Sequence, residues 1–118
     1  MADVEHVLAV VAVSDIQAGR SWYSQLFGRA PDNNPMSNLV EWQVVDGGWV
    51  QVTEDSYRAG MSMLNLAVSD LGEGVRKVRE CGLNPGEIVE ANKGVRLCAI
   101  TDPDGNAIQL VGNFRVKY

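Results

Sequence analysis

A single histidine and two cysteines are all that this sequence offers of the side chains that most often hold transition metals. His6 stands alone, and Cys81 and Cys98 have no Cys-x-x-Cys spacing, so no structural metal site is specified. The thiols are expected to be buried and reduced. Long apolar runs are also missing. The longest, Val7 to Val13, is far too short to cross a bilayer, and the N-terminus lacks the basic flank of a signal peptide, so a cytoplasmic protein without membrane contact is expected. Nor is there a basic excess. Ten Lys and Arg are scattered among fifteen Asp and Glu, for a net charge of −5, which argues against a nucleic-acid surface and chiefly serves solubility.

What is present is a duplication. Val13-Ser14-Asp15 and Val68-Ser69-Asp70 each close an apolar run and open a helical pattern, about 55 residues apart. Each Asp is placed to accept a hydrogen bond from the first helical turn, and each helical pattern ends at a glycine, Gly28 and Gly82, suited to the left-handed conformation after a helix. With 118 residues, 46% of them hydrophobic, the chain fits one domain that shares one core. Its first unit spans residues 4–54 and its second 60–113.

The first unit reads as a strand around Val7 to Val13, a helix from Asp15 to Phe27, and strands over Asn38 to Val45 and Trp49 to Thr53, with Pro31 to Pro35 as loop. Ile16, Gly19, Trp22, Tyr23 and Leu26 form the stripe that packs on the sheet. The second unit has a strand over Met61 to Val68, a helix from Asp70 to Cys81 with Leu71, Val75 and Val78 inward, and strands over Leu83 to Val89, Val95 to Thr101 and Ala107 to Val111. Asp46-Gly47-Gly48 and Asp102-Pro103-Asp104-Gly105-Asn106 supply the hairpin turns. The expected architecture is α+β: two tandem βαβββ modules whose curved mixed sheets surround a cleft on the faces away from the helices.

The twin strand-Asp-helix starts, the Trp22-Tyr23-x-x-Leu26-Phe27-Gly28 helix end and the segment Asp102 to Gln109 together resemble the vicinal oxygen chelate superfamily, the glyoxalase, bleomycin-resistance and extradiol-dioxygenase group. The resemblance covers nearly the whole chain. It implies a homodimer, often with clefts between subunits, and metal ligands at four strand positions, a His in the first strand and a Glu in the last strand of each module. Those positions here are Leu8, Gln51, Met63 and Gln109. Leu and Met offer no hard donor and a neutral amide does not replace a carboxylate, so no metal and no cofactor is expected.

By strand alternation the same face carries Val10, Trp49, Thr53, Met61, Asn65, Leu97, Ala99 and Val111, with His6 two residues before Leu8. An apolar lining with amides at Gln51, Asn65 and Gln109 suits a hydrophobic or aromatic ligand, and the expected activity is metal-independent sequestration of a small molecule such as an antibiotic. Trp49 is expected in the cleft. Trp42 fits either core or a dimer contact, and Tyr57 is a further aromatic near it. Glu41 reads as a solvent-facing strand residue and Arg96 as a solvated rim cation. No nucleophile with a partnered base is specified, so catalytic residues are left unassigned. The competing expectation is a glyoxalase-like lyase, isomerase or cyclase without the usual metal, with His6 or Glu54 moving protons. A third is an interaction domain whose cleft is filled by its own Leu8, Met61, Met63 and Trp49.

Overall fold

Two aspartates set where the helices begin. In the computed structural model, which describes residues 1–114, Asp15 has extended backbone and its carboxylate accepts from the N–H of Gln17, and Asp70 accepts in the same way from Glu73. Each satisfies backbone donors that the first helical turn leaves without partners. Gly28, at φ +71°, ends the first helix in the left-handed conformation.

The elements run β1 (Val7–Val13), α1 (Ile16–Phe27), β2 (Asn33–Met36), β3 (Leu39–Val45) and β4 (Gly48–Glu54), then β5 (Met63–Val68), α2 (Leu71–Glu80), β6 (Ile88–Glu90), β7 (Arg96–Thr101) and β8 (Ala107–Gly112). This is the expected βαβββ module, twice. Each module has a four-stranded mixed sheet, ordered β1-β4-β3-β2 in the first and β5-β8-β7-β6 in the second. The parallel pairs β1·β4 and β5·β8 set Val10 opposite Gln51 and Asn65 opposite Gln109.

The strand expected from Met61 begins at Met63, which leaves Met61 ahead of β5, and two larger differences from the sequence reading follow. The stretch Pro31 to Pro35 holds β2, because an edge strand with an irregular register accommodates Pro35 without losing a central ladder bond. The strand expected from Leu83 begins only at Ile88, since Pro85 interrupts the ladder and Leu83 turns into the core.

The helices cover one face of each sheet. Val11, Val13, Tyr23, Leu26, Val40, Trp42, Val50 and Val52 of the first module join Leu64, Leu71, Val75, Val78, Ile100, Ile108 and Leu110 of the second in a single buried cluster. Trp42 is fully buried there and donates through Nε1 to the Arg29 carbonyl at 3.0 Å, which settles it as core. Cys98 is buried as expected and its thiol is pushed up by burial, but Cys81 is only half-buried, because it caps α2 at the surface; both are free. Among the described residues no helix is long and apolar enough to cross a membrane. The tail from Arg115 to Tyr118 lies outside the described residues.

The edge strands β1 and β5 meet side by side, bridged by side chains instead of a ladder. The Ala12 N–H donates to Ser62 Oγ at 3.1 Å, and the Ala12 carbonyl accepts from Asn106 Nδ2 at 2.8 Å. Asn106 lies in the Asp102 to Asn106 turn, where Asp102 is buried and accepts from Tyr23 Oη at 2.8 Å, from Asn106 Nδ2 at 2.7 Å and from the backbone N–H groups of Asp104 and Asn106. Asp104 accepts from both the N–H and the hydroxyl of Ser14. Turn chemistry alone accounts for the local bonds of these aspartates. Their further role, fastening the second module to α1 and β1, is what the sequence reading missed.

Candidate functional site

With one face of each sheet covered by a helix, the other is left open. Alternation along the strands places Leu8, Val10, Trp49, Gln51, Thr53, Leu39, Glu41 and Gln43 on the open face of the first sheet, opposite the buried Val11, Val40, Trp42, Val50 and Val52. The second sheet presents Met63, Asn65, Ala67, Leu97, Ala99, Gln109 and Val111 in the same way.

The predicted residues divide into two groups. Asn65, Leu97 and Gln109 line a cavity of about 590 Å³ on the second sheet, walled also by Val95, Val111 and Phe114. Ala99 pairs with Gln109 and continues that row. Trp49 and Asn65 both border a cavity of about 520 Å³ where the two modules adjoin, much of whose lining, including Phe27, Val50, Leu64 and Leu66, belongs to the helix-covered faces. His6 comes alongside Trp49: the indole Nε1 points to His6 Nδ1 at 3.4 Å, and the rings meet edge to face with centroids 6.5 Å apart. Gln51 lies on the first sheet, where it donates through Nε2 to Glu41 at 2.8 Å.

The open faces do not close on each other within one chain. Leu8 is 51% exposed and Met63 78% exposed, and Met61 is also exposed, so the reading in which these side chains fill the cleft is wrong. They lie on strand edges with no facing layer to pack into. Tyr57 is exposed next to a cavity that also borders Val10 and Thr53. Glu54 turns to the helix side, where its carboxylate accepts from the Ile16 N–H at 3.0 Å and caps α1. That placement removes it from the open face. Arg96 pairs with Glu90 at 3.4 Å.

The donor set at Leu8, Gln51, Met63 and Gln109 does not fit a divalent metal, since two of the side chains carry no donor of use to a hard cation and the others are neutral amides. Leu8 is opposite Trp49 and Met63 opposite Ala107, so each is the diagonal same-face neighbour of its glutamine. Among the described residues no three His, Cys, Asp or Glu gather as a ligand group.

The same two-module arrangement recurs in solved structures. The glyoxalase/bleomycin resistance protein of Catenulispora acidiphila DSM 44928 superimposes with a TM-score of 0.85 at 31% identity, over 91% of this chain and 96% of its own. This chain belongs to the glyoxalase/bleomycin-resistance family. That places it in the vicinal oxygen chelate superfamily, as its strand-Asp-helix repeats and Asp102 to Gln109 segment led us to expect. A bleomycin-binding protein in complex with bleomycin superimposes with a TM-score of 0.76 at 17% identity, over 92% of this chain and 98% of that one. The oxidase ChaP-H1 does so at 0.74 and 23%, over 98% and 100%. At these lower identities the likeness is one of fold, and the fold carries binders and oxidases alike. No family model matches the sequence, and no curated protein matches it.

Glu41 also stands on the open face, as a solvent-facing strand residue. Strand alternation already placed it opposite Trp42. What the sequence did not give is the register that sets it beside Gln51.

Proposed function

We propose that this family member is a metal-independent binding protein that sequesters a hydrophobic or aromatic small molecule in the cytoplasm, working as a homodimer. The observation that carries the reading is the chemistry of the open faces. Leu8, Val10 and Trp49 surround Gln51 on one, and Met63, Leu97 and Ala99 surround Asn65 and Gln109 on the other. Glu41, which Gln51 engages, is the one charge among the strand residues of these faces; the other polar groups around the apolar side chains include amides, which give directional hydrogen bonds with little charge to desolvate and favour binding over bond breaking. A site with this lining needs no metal.

Exposed Leu8, Val10, Met61 and Met63 support assembly, because a second copy laid against these faces buries them and encloses a ligand between modules of different chains. The free thiols of Cys81 and Cys98 suit a reducing compartment. The competing metal-free lyase, isomerase or cyclase keeps only His6 of its two proton carriers, since Glu54 is committed to capping α1.

Tryptophan fluorescence tests the proposal. Trp42 is shielded in the core, Trp22 packs half-buried from α1 on the helix side, and Trp49 stands on the open face, so titration with bleomycin and with planar aromatic compounds is expected to quench emission, to lose most of that quenching in Trp49→Phe, and to return the compound unchanged. Accumulation of a product over repeated turnovers contradicts it.

A further inference from the structure

The turn between β6 and β7 walls the cavity on the second sheet, through Ala91, Asn92, Lys93 and Val95. Its shape is set locally. Lys93 at φ +56° and Gly94 at φ +78° are consecutive left-handed residues, and the Val95 N–H donates to the Asn92 carbonyl at 3.1 Å, the geometry of a mirror-image hairpin turn. Asn113, itself left-handed at φ +60°, donates through Nδ2 to the Gly94 carbonyl at 3.1 Å and ties the turn to the end of β8. Lys93 is thereby carried to the cavity wall on a braced backbone.

The sheet supplies the remaining polar groups. Asn65 and Gln109 are paired across the parallel strands β5 and β8 and line the same cavity. Neither amide has a hydrogen-bond partner among the described residues, whereas Gln51 of the first sheet is spent on Glu41. Each of the two therefore keeps its N–H donors and its carbonyl for a ligand. Among the described residues, Lys93 is the one charged residue lining this cavity, and no Asp or Glu does so. The nearest carboxylate in sequence, Glu90, is set opposite Arg96 in the strand register and pairs with it at 3.4 Å. In a chain of net charge −5 the cavity thus gathers an ammonium and two unengaged amides around Leu97, Val111 and Phe114. Donors without a competing carboxylate favour an anion, and an apolar surround strengthens the attraction by lowering the local dielectric.

We propose that Lys93, Asn65 and Gln109 form a donor subsite that selects ligands whose apolar aromatic body ends in an anionic oxygen group such as a carboxylate. The inference rests on the reading that the open faces bind a small molecule, and adds what that molecule carries and where it is held.

Two probes that share one ring system separate the two claims. Pyrenecarboxylate is an anion at neutral pH and pyrenecarboxamide is neutral there, and both are followed by fluorescence titration of the full chain. The wild type is expected to bind the carboxylate about tenfold more tightly than the carboxamide, with the preference shrinking at high salt. Lys93→Met keeps the stem of the side chain and is expected to lose about tenfold for the carboxylate while leaving the carboxamide within about twofold. Asn65→Leu is expected to weaken both probes by about threefold, since both carry an oxygen that accepts from its amide. A wild type that does not prefer the carboxylate, a preference unchanged in Lys93→Met, or binding untouched by Asn65→Leu overturns the anion subsite and leaves sequestration standing. Failure of the wild type to bind either probe overturns both.

Discussion

The phenol of Tyr23, on the helix of the first module, donates to the buried carboxylate of Asp102, in a turn of the second, at 2.8 Å and 79 positions away in sequence. Burial, then the hydrogen bond to Asp102, pushes the Tyr23 phenol well above its ordinary range. Tyr23→Phe keeps the ring packed and leaves Asp102 without one donor, so a loss of about 2 kcal/mol is expected in urea unfolding. The pH dependence has a definite sign. Below the ordinary phenol pKa, about 10, the contribution of Tyr23 is complete. Above it the unfolded chain ionises while the folded phenol stays protonated, so stability falls as pH rises. Unfolding curves across that alkaline range are expected to show this fall in the wild type and a shallower one in Tyr23→Phe.

Much of the fold was legible because its signals are local. Asp15, Asp70, Gly28 and Gly105 act within a few residues of themselves, and the apolar stripes of both helices are the buried ones. What escaped is non-local or depends on position in a sheet. Pro35 argues against a strand unless that strand is an edge, and edges are known only once the sheet is ordered. Asp102 had a sufficient local explanation, which concealed Tyr23. For the site, alternation identified the open faces, but only register pairs Glu41 with Gln51, and only the packing of α1 reveals Glu54 as a cap.

Gly19 and Gly74 occupy equivalent places, each four residues after its capping aspartate and each donating its N–H to that residue's carbonyl at 2.9 Å. A methyl group at Gly19 meets Val13 Cγ2 at 2.9 Å, with Val13 and Val52 both buried and stiff. At Gly74 the nearest atom is Val68 Cγ2 at 3.6 Å, an ordinary contact. Gly19→Ala is therefore expected to destabilise by about 1–2 kcal/mol net, overpacking outweighing helix propensity. Gly74→Ala is expected to stabilise by about 0.5–1 kcal/mol. Thermal melts of the two variants, read together, check the opposite signs.

The cysteines should react in order. Cys98 is fully buried, its thiol raised by burial and its Sγ 3.2 Å from the Gly86 carbonyl, while Cys81 is half-exposed at the end of α2. Brief iodoacetamide treatment of the folded protein at neutral pH is expected to modify Cys81 alone, with Cys98 modified only after unfolding. Peptide mapping that finds Cys98 labelled first contradicts this placement.

The central claim, small-molecule binding without a metal, is tested most directly by native mass spectrometry of the purified protein before and after exhaustive chelation, with metal analysis on the same sample. The account predicts a dimer that carries no stoichiometric metal and binds an added aromatic ligand equally well after chelation. A dimer with one divalent metal per chain, whose ligand binding disappears with that metal, contradicts it.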